Sequence, residues 1–318
     1  MRALIRREYG GPDTIELTEL PTPEPAAGEV LVRVSAAGID AGAHHIMTGE
    51  PRLMRLGTGR QRPTNPRFGT ELAGTVEAVG PGVTSLRVGD AVFGVAQGSF
   101  ADAVVATASK LATLPAGLDP VDAAAAAVSG ITALDVLASA GPLAGKRVLV
   151  TGAGGGVGTF VVQLAVAAGA TVTGVCSTAK VELVRSLGAA EVVDYTVAEP
   201  TGQFDVLVDT GGLRPLGALR TLLVRGGRAL LVGGDGGSGP LGGFERQLFS
   251  PITMLFSGRR FSNVMSSTTT AKLEQLAAHL VAGDARSVID RRYPLSEGAA
   301  AMRHFESGTV AGKLVLIP

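Results

Sequence analysis

A doubly wound parallel α/β sheet inserted in a barrel-like, mainly β unit is the fold this chain of 318 residues predicts. Three observations carry that expectation. Residues 146–158 read Lys-Arg-Val-Leu-Val-Thr-Gly-Ala-Gly-Gly-Gly-Val-Gly, a short β-branched run breaking into a glycine-rich turn, and residues 159–169 follow at helical period. Downstream, strand-like and helix-like stretches alternate, as parallel strands joined by helical crossovers require. Residues 1–120 instead show short strand-like pieces between Pro/Gly turns, the grammar of a compact, mostly antiparallel unit. The length favours two domains, because single cores stop growing near ~250–300 residues.

In chain order, strands are expected at 3–5, 29–34, 74–79, 91–95 and 101–105, punctuated by Gly11-Pro12, Pro21-Thr22-Pro23 and Pro81-Gly82. The stretch Gly38-Ile-Asp-Ala-Gly-Ala-His-His-Ile-Met-Thr-Gly49 breaks this rhythm, and Asp40 there suits the N-cap of a short helix over 41–47. A basic loop, 51–67, carries Arg52, Arg55, Arg60, Arg62 and Arg67, and reads either as a solvated lid or as a grip on an anionic substrate. The alanine-rich run 121–140 contains Asp122 and Asp135 and reads as a packed helix, not a membrane span.

Strands then follow at 148–150, 171–176, 191–195, 204–209 and 228–232, with helices at 177–187, closed by Gly188, and at 213–224. A glycine-rich stretch, 235–243, precedes a short helix over 244–256, and a further helix covers 268–282. The tail places a helix at 296–306 and a strand at 312–317. This return to a strand-rich style makes the α/β domain (122–265) an insertion in a domain formed by 1–121 and 266–318.

Composition excludes several classes. Lys and Arg total 28 against 28 Asp and Glu, so neither a nucleic acid nor an anionic membrane is an expected partner. The single cysteine, Cys176, excludes an internal disulfide framework and any multi-cysteine metal site, and fits a reducing compartment. The first residues contain no apolar stretch of signal-peptide length, so the expected location is the cytoplasm.

Strand, glycine-rich turn and helix in succession are the context of a dinucleotide fingerprint. A pyrophosphate can approach backbone only where no Cβ intervenes, and the N–H groups of a helix start favour its charge. Gly155 and Gly158 fall on the second and third glycines of the motif, and Ala153 takes the place of the first. The adenosine end belongs at the end of the next strand, where an acid would bind the ribose 2′-hydroxyl and repel a 2′-phosphate. The residues there are Ser177, Thr178 and Lys180, with no acid before Glu182. They suit NADP(H); the alternative is a Ser177 or Thr178 cap with a solvated Lys180.

Tyr9-Gly-Gly-Pro12, Ala37-Gly-Ile39, Gly69-Thr-Glu-Leu-Ala-Gly74, Gly98-Ser-Phe-Ala101, the Gly152–Gly158 turn with Gln163, and the ending Gly308-Thr-Val-Ala-Gly-Lys-Leu-Val-Leu316 together resemble the medium-chain dehydrogenase/reductase superfamily. The likeness is to its zinc-independent quinone oxidoreductase branch and runs over essentially the whole chain. It departs at Val166, where a basic residue or serine is common. The resemblance implies a Rossmann domain inserted in a GroES-like catalytic domain, and a homodimer. It implies that Thr132, Gly156, Val157, Tyr195, Gly233, Gly234 and Lys313 line the nucleotide.

Zinc members of that superfamily polarise an alcohol with a cysteine, a His-Glu pair and a further Cys or His. Here Asp40 lies in the region of the first ligand and Thr70 replaces the histidine, so no metal is expected. Without a Lewis acid, the expected reaction is hydride transfer from NADPH to a small quinone or α,β-unsaturated carbonyl. Asp40 and His45 fall where the family often has Asn and Tyr, and are the candidate catalytic residues, with capping and packing roles as the alternatives. An alcohol dehydrogenase with an atypical site, and a nucleotide-binding protein without catalysis, remain open.

Overall fold

The computed structural model describes residues 1–232 and 258–318 and divides into two compact units. One contains Met1–Ile131, Thr268–Gly283 and Ser287–Pro318; the other contains Thr132–Ser267 and Asp284–Arg286.

The first unit opens with β1 (Arg2–Arg6) paired antiparallel to β2 (Ile15–Glu19), a strand that the sequence pattern does not announce. Next come β3 (Glu29–Ile39), α1 (Ala41–Thr48), α2 (Arg55–Thr58), β4 (Glu71–Val79), β5 (Ala91–Val95), β6 (Ala103–Thr107) and β7 (Leu111–Thr113). The expected strand at 29–34 runs on to Ile39, because Ala36, Ala37 and Ile39 are buried and pair with β4 or the C-terminal strand. That extension delivers Asp40 directly to the start of α1. The basic stretch 51–67 contains a 3₁₀ turn (Arg52–Met54) followed by α2, so it is more structured than a bare loop.

The helix α3 (Pro120–Ala140) follows. By length and composition it could cross a membrane, but 67% of its most apolar window is buried inside the protein. The second unit then forms a six-stranded sheet from β8 (Arg147–Thr151), β9 (Thr171–Cys176), β10 (Glu191–Asp194), β11 (Phe204–Asp209), β12 (Leu223–Leu231) and β13 (Arg260–Asn263). All its pairings are parallel, in the spatial order β10-β9-β8-β11-β12-β13. That is the order of a doubly wound dinucleotide fold. Leu149, Val175, Leu207, Leu219 and Leu231 sit in its core.

Two helices of this unit are shorter than their patterns. The expected 177–187 resolves into a 3₁₀ turn (Thr178–Lys180) and α5 (Val181–Ser186), after α4 (Gly156–Ala167). The expected 213–224 is α6 (Leu216–Thr221) only. Pro215 takes its N-cap, and Leu223 leaves the helix to pair with Phe204 across β11. The glycine-rich stretch 235–243 and the helix expected at 244–256 lie outside the described residues.

The chain returns to the first unit through α7 (Thr270–Ala282), capped by the Thr269 hydroxyl and ended by Gly283 at φ 79°. Then come β14 (Ile289–Pro294), α8 (Gly298–Glu306) and β15 (Lys313–Ile317). The sheet order is β14-β15-β3-β4-β5-β7, with β6 added beside β3. Only β14 and β15 pair in parallel within it. Its core packs Val32, Ile39, Phe68, Leu72, Phe100 and Leu314.

Candidate functional site

The glycine turn is built by contacts that side chains would destroy. Gly152, not Ala153, adopts the left-handed conformation at φ 69°, where an added Cβ would lie 2.6 Å from Thr210 Oγ1. Ala153 keeps an ordinary backbone, is fully buried, and donates its N–H to Val175 at the end of β9. A Cβ on Gly158 would stand 2.1 Å from the Gly152 carbonyl oxygen, so this glycine brings α4 against the turn. On Gly155, the N-cap of α4, a Cβ would meet only that same oxygen, at 3.4 Å. A dinucleotide pyrophosphate fits this geometry: backbone open at Gly155 and the helix start of Gly156, Val157 and Gly158 beyond it.

The ends of β9 and β10 lie side by side, with Asp194 in register with Cys176 and the Tyr195 N–H donated to the Cys176 carbonyl. Ser177 takes the N-cap position of the 3₁₀ turn but makes no side-chain cap bond. The stem of Lys180 lies over Gly154, where a Cβ would be 2.8 Å from its Cδ, so the lysine is held across the glycine turn. Thr178 and Thr196 approach at 2.9 Å through their hydroxyls. Asp194 accepts from the Thr196 N–H and hydroxyl at 2.9 and 2.7 Å, and the hydroxyls of Thr178 and Thr196 together hold its carboxyl below the usual range. Tyr195 is 50% exposed beside this group, and Thr132 is buried on α3. Gly233 and Gly234 lie outside the described residues.

In the first unit, Asp40 caps α1. Its Oδ1 accepts from the Ala43 N–H at 2.6 Å and its Oδ2 from the Thr70 hydroxyl at 2.5 Å. Beside it, Glu71 is fully buried and accepts from Lys313 Nζ at 2.5 Å, with Lys313 only 3% exposed. The lysine expected to face a nucleotide therefore commits its ammonium to a carboxyl group. Burial pushes Glu71 up to about 8, Lys313 opposes, and Asp40 adds to the rise by charge and by hydrogen bonding. Glu71 Oε2 accepts no hydrogen bond, and two carboxyl groups meet favourably only when one carries a proton. Gly38 makes room for this contact: a Cβ there would be 2.6 Å from Glu71 Oε2.

The two adjacent histidines diverge. His44 Nε2 reaches Glu306 at 3.1 Å, its ring beside Phe305, whereas His45 Nδ1 lies 2.8 Å from the Glu50 carbonyl. A carbonyl only accepts, so His45 carries a proton on Nδ1, and neutral His45 has its lone pair on Nε2. Arg6 fixes this region from beneath. Its buried guanidinium donates to the carbonyls of Ile46, Asn65 and Pro66 and sits over the rings of Tyr9 and Phe68.

The donors around Asp40 do not form a zinc set. Position 70 offers a hydroxyl already donated to Asp40, Glu71 faces an ammonium, and the histidines point elsewhere. Among the described residues, no group of three or more His, Cys, Asp or Glu is placed to hold a metal ion.

Sequence reasoning missed Glu71, Asp194 and Arg6. Glu71 stood in the Gly69–Gly74 match, but a carboxyl facing Lys313 is separated from it by 242 residues. Asp194 falls inside the strand expected at 191–195, and only the β9–β10 register brings it to Thr178.

Comparison with known proteins bears on both units. Residues 26–116 match the family model of the alcohol dehydrogenase GroES-like domain, and residues 187–316 match a family model described as zinc-binding dehydrogenase. Quinone oxidoreductase from Sus scrofa is 32% identical, with 100% of this chain and 98% of the relative covered. A chloroplast envelope quinone oxidoreductase homolog from Arabidopsis thaliana is 31% identical over the same shares. Among solved structures, Escherichia coli quinone oxidoreductase complexed with NADPH superposes with a TM-score of 0.84 at 25% identity, covering 100% of both chains.

Proposed function

The chain belongs to the medium-chain dehydrogenase/reductase superfamily, in its quinone oxidoreductase-like branch, and is an NAD(P)H-dependent oxidoreductase; on that premise we propose that it reduces a quinone or an α,β-unsaturated carbonyl with NADPH, without zinc. The observation that carries this reading is the Asp40–Thr70–Glu71–Lys313 cluster. Its buried lysine and hydrogen-bonded carboxyl groups stand where an alcohol dehydrogenase of this superfamily would need metal ligands. Donors of this set do not suit the Lewis acid that would stabilise an alkoxide, which favours an acceptor already electron-poor. Preference for the 2′-phosphate is supported by Lys180, whose stem is fixed over the glycine turn.

When bound, the dinucleotide supplies a hydride from nicotinamide C4. The chain's own part is to orient the acceptor, keep water out and provide for the proton that follows. His45 is the proposed donor. Its Nδ1–H is tied to the Glu50 carbonyl, so only the imidazolium offers a second proton, at Nε2. Asp40 holds the start of the helix that carries His45, with both of its oxygens already accepting within the protein.

NADPH oxidation measured with quinones and enones, and NADP⁺ reduction measured with alcohols, tests the reading. Turnover is expected with the first two classes, and His45→Ala should lower it by ~10²-fold with nucleotide affinity unchanged. Alcohol oxidation in preference to quinone and enone reduction would favour the dehydrogenase alternative. Binding without any turnover would favour a nucleotide-binding protein.

A further inference from the structure

The sequence offers no acid at the end of β9, yet the fold supplies one from the neighbouring strand. Asp194 ends β10 in register with Cys176, one residue before Ser177 and two before Thr178. Its carboxylate accepts from the Thr196 N–H and from the Thr196 hydroxyl, at 2.9 and 2.7 Å. The Thr178 and Thr196 hydroxyls are within hydrogen-bond distance of each other, at 2.9 Å. Each has one proton to give, and both protons are drawn into this three-residue set. The Thr178 hydroxyl, one of the donors expected for a 2′-phosphate, is therefore committed to the Thr196 hydroxyl that in turn binds the carboxylate.

Charge points the same way. The buried Cys176 thiol is pushed up chiefly by burial, then by Asp194, while Lys180 acts in the opposite sense. A negative and a positive group thus act on one point at the end of β9. A phosphate brought to Lys180 enters the field of Asp194 as well, and like charges at short range oppose binding.

We propose that Asp194 is a specificity-determining residue for the nucleotide, a fixed counter-charge that limits the preference for a 2′-phosphate and keeps NADH competitive with NADPH. The proposal rests on the placement of the dinucleotide's ribose at the end of β9. Asp194 does not take part in the chemistry; it sets which nucleotide is held. An acidic residue at this strand end, and not the residue composition of β9 alone, then decides selectivity.

The test is equilibrium binding of NADPH, NADH, 2′,5′-ADP and 5′-ADP to the wild type, Asp194→Asn and Lys180→Ala, by titration calorimetry. Asn at position 194 still accepts from Thr196, so the local hydrogen bonds survive, and thermal unfolding checks this. Asp194→Ser is a second variant should the first prove unstable. Asp194→Asn is expected to tighten NADPH and 2′,5′-ADP by about 3–10-fold and leave NADH and 5′-ADP unchanged, the scale of one partly screened charge. If it leaves all four unchanged, or shifts phosphorylated and unphosphorylated ligands equally, while Lys180→Ala weakens NADPH alone, the proposal fails and the ribose placement stands. If neither variant alters the ratio of NADPH to NADH affinity, the placement fails and takes the proposal with it.

Discussion

Glu71 holds a proton against opposing neighbours, and that has a consequence for pH. Burial and Asp40 raise it from 4.5 to about 8, and Lys313 only partly offsets them. Between those values the folded protein keeps a proton that the unfolded chain releases. Stability from this group is therefore full below about 4.5 and is lost as pH rises through about 8. Urea unfolding from pH 5 to 8.5 should show the wild type losing stability across that window. The double variant Glu71→Gln/Lys313→Met, which removes both charges, should lose less; parallel curves would refute the assignment. Residues of this kind were poorly legible beforehand. Asp40 announced its N-cap role through local spacing, because a cap acts over three residues. The Glu71–Lys313 pair did not, because it joins strands from opposite ends of the chain.

At the scale of elements, the turn between β8 and α4 separates two uses of glycine. Gly158→Ala would put a Cβ against the Gly152 backbone, which cannot rotate away, whereas Gly155→Ala meets ordinary contact. Gly158→Ala is expected to destabilise the protein by ~1–3 kcal/mol, the usual cost of overpacking, and to abolish nucleotide binding. Gly155→Ala should retain the wild-type Tm and lose nucleotide affinity if, as proposed, the pyrophosphate lies against this backbone. Thermal unfolding and NADPH titration of both variants check this, and a wild-type Tm for Gly158→Ala would overturn it. The turn was readable because strand, glycines and helix are contiguous. The identity of its left-handed residue was not, since Gly152 and Ala153 both suit the motif until Thr210 crowds the first of them. Helix lengths failed for a similar reason. Leu223 continues the helical period of α6, but pairing with β11 outweighs that local preference.

Over the whole molecule, two family matches cover different stretches, one of them described as zinc-binding, while the local donors are those of a hydrogen-bonded cluster. The two ligands can be told apart by what they stabilise. A ligand that binds only the native state adds RT ln(1 + [L]/Kd), about 2.7 kcal/mol at a hundredfold excess over Kd. For a protein of this size that raises Tm by several degrees. NADPH is expected to give such a shift. Equimolar zinc chloride is expected to give none, because Thr70 offers no ligand and Lys313 places a cation beside Glu71. Dialysis against a chelator should likewise leave NADPH-dependent turnover of the best quinone or enone unchanged. A zinc-dependent rise in Tm, or activity lost to the chelator and restored by zinc, would mean that Asp40 and Glu71 give up their present partners for a metal. The acceptor would then have to be sought among alcohols and their carbonyl products.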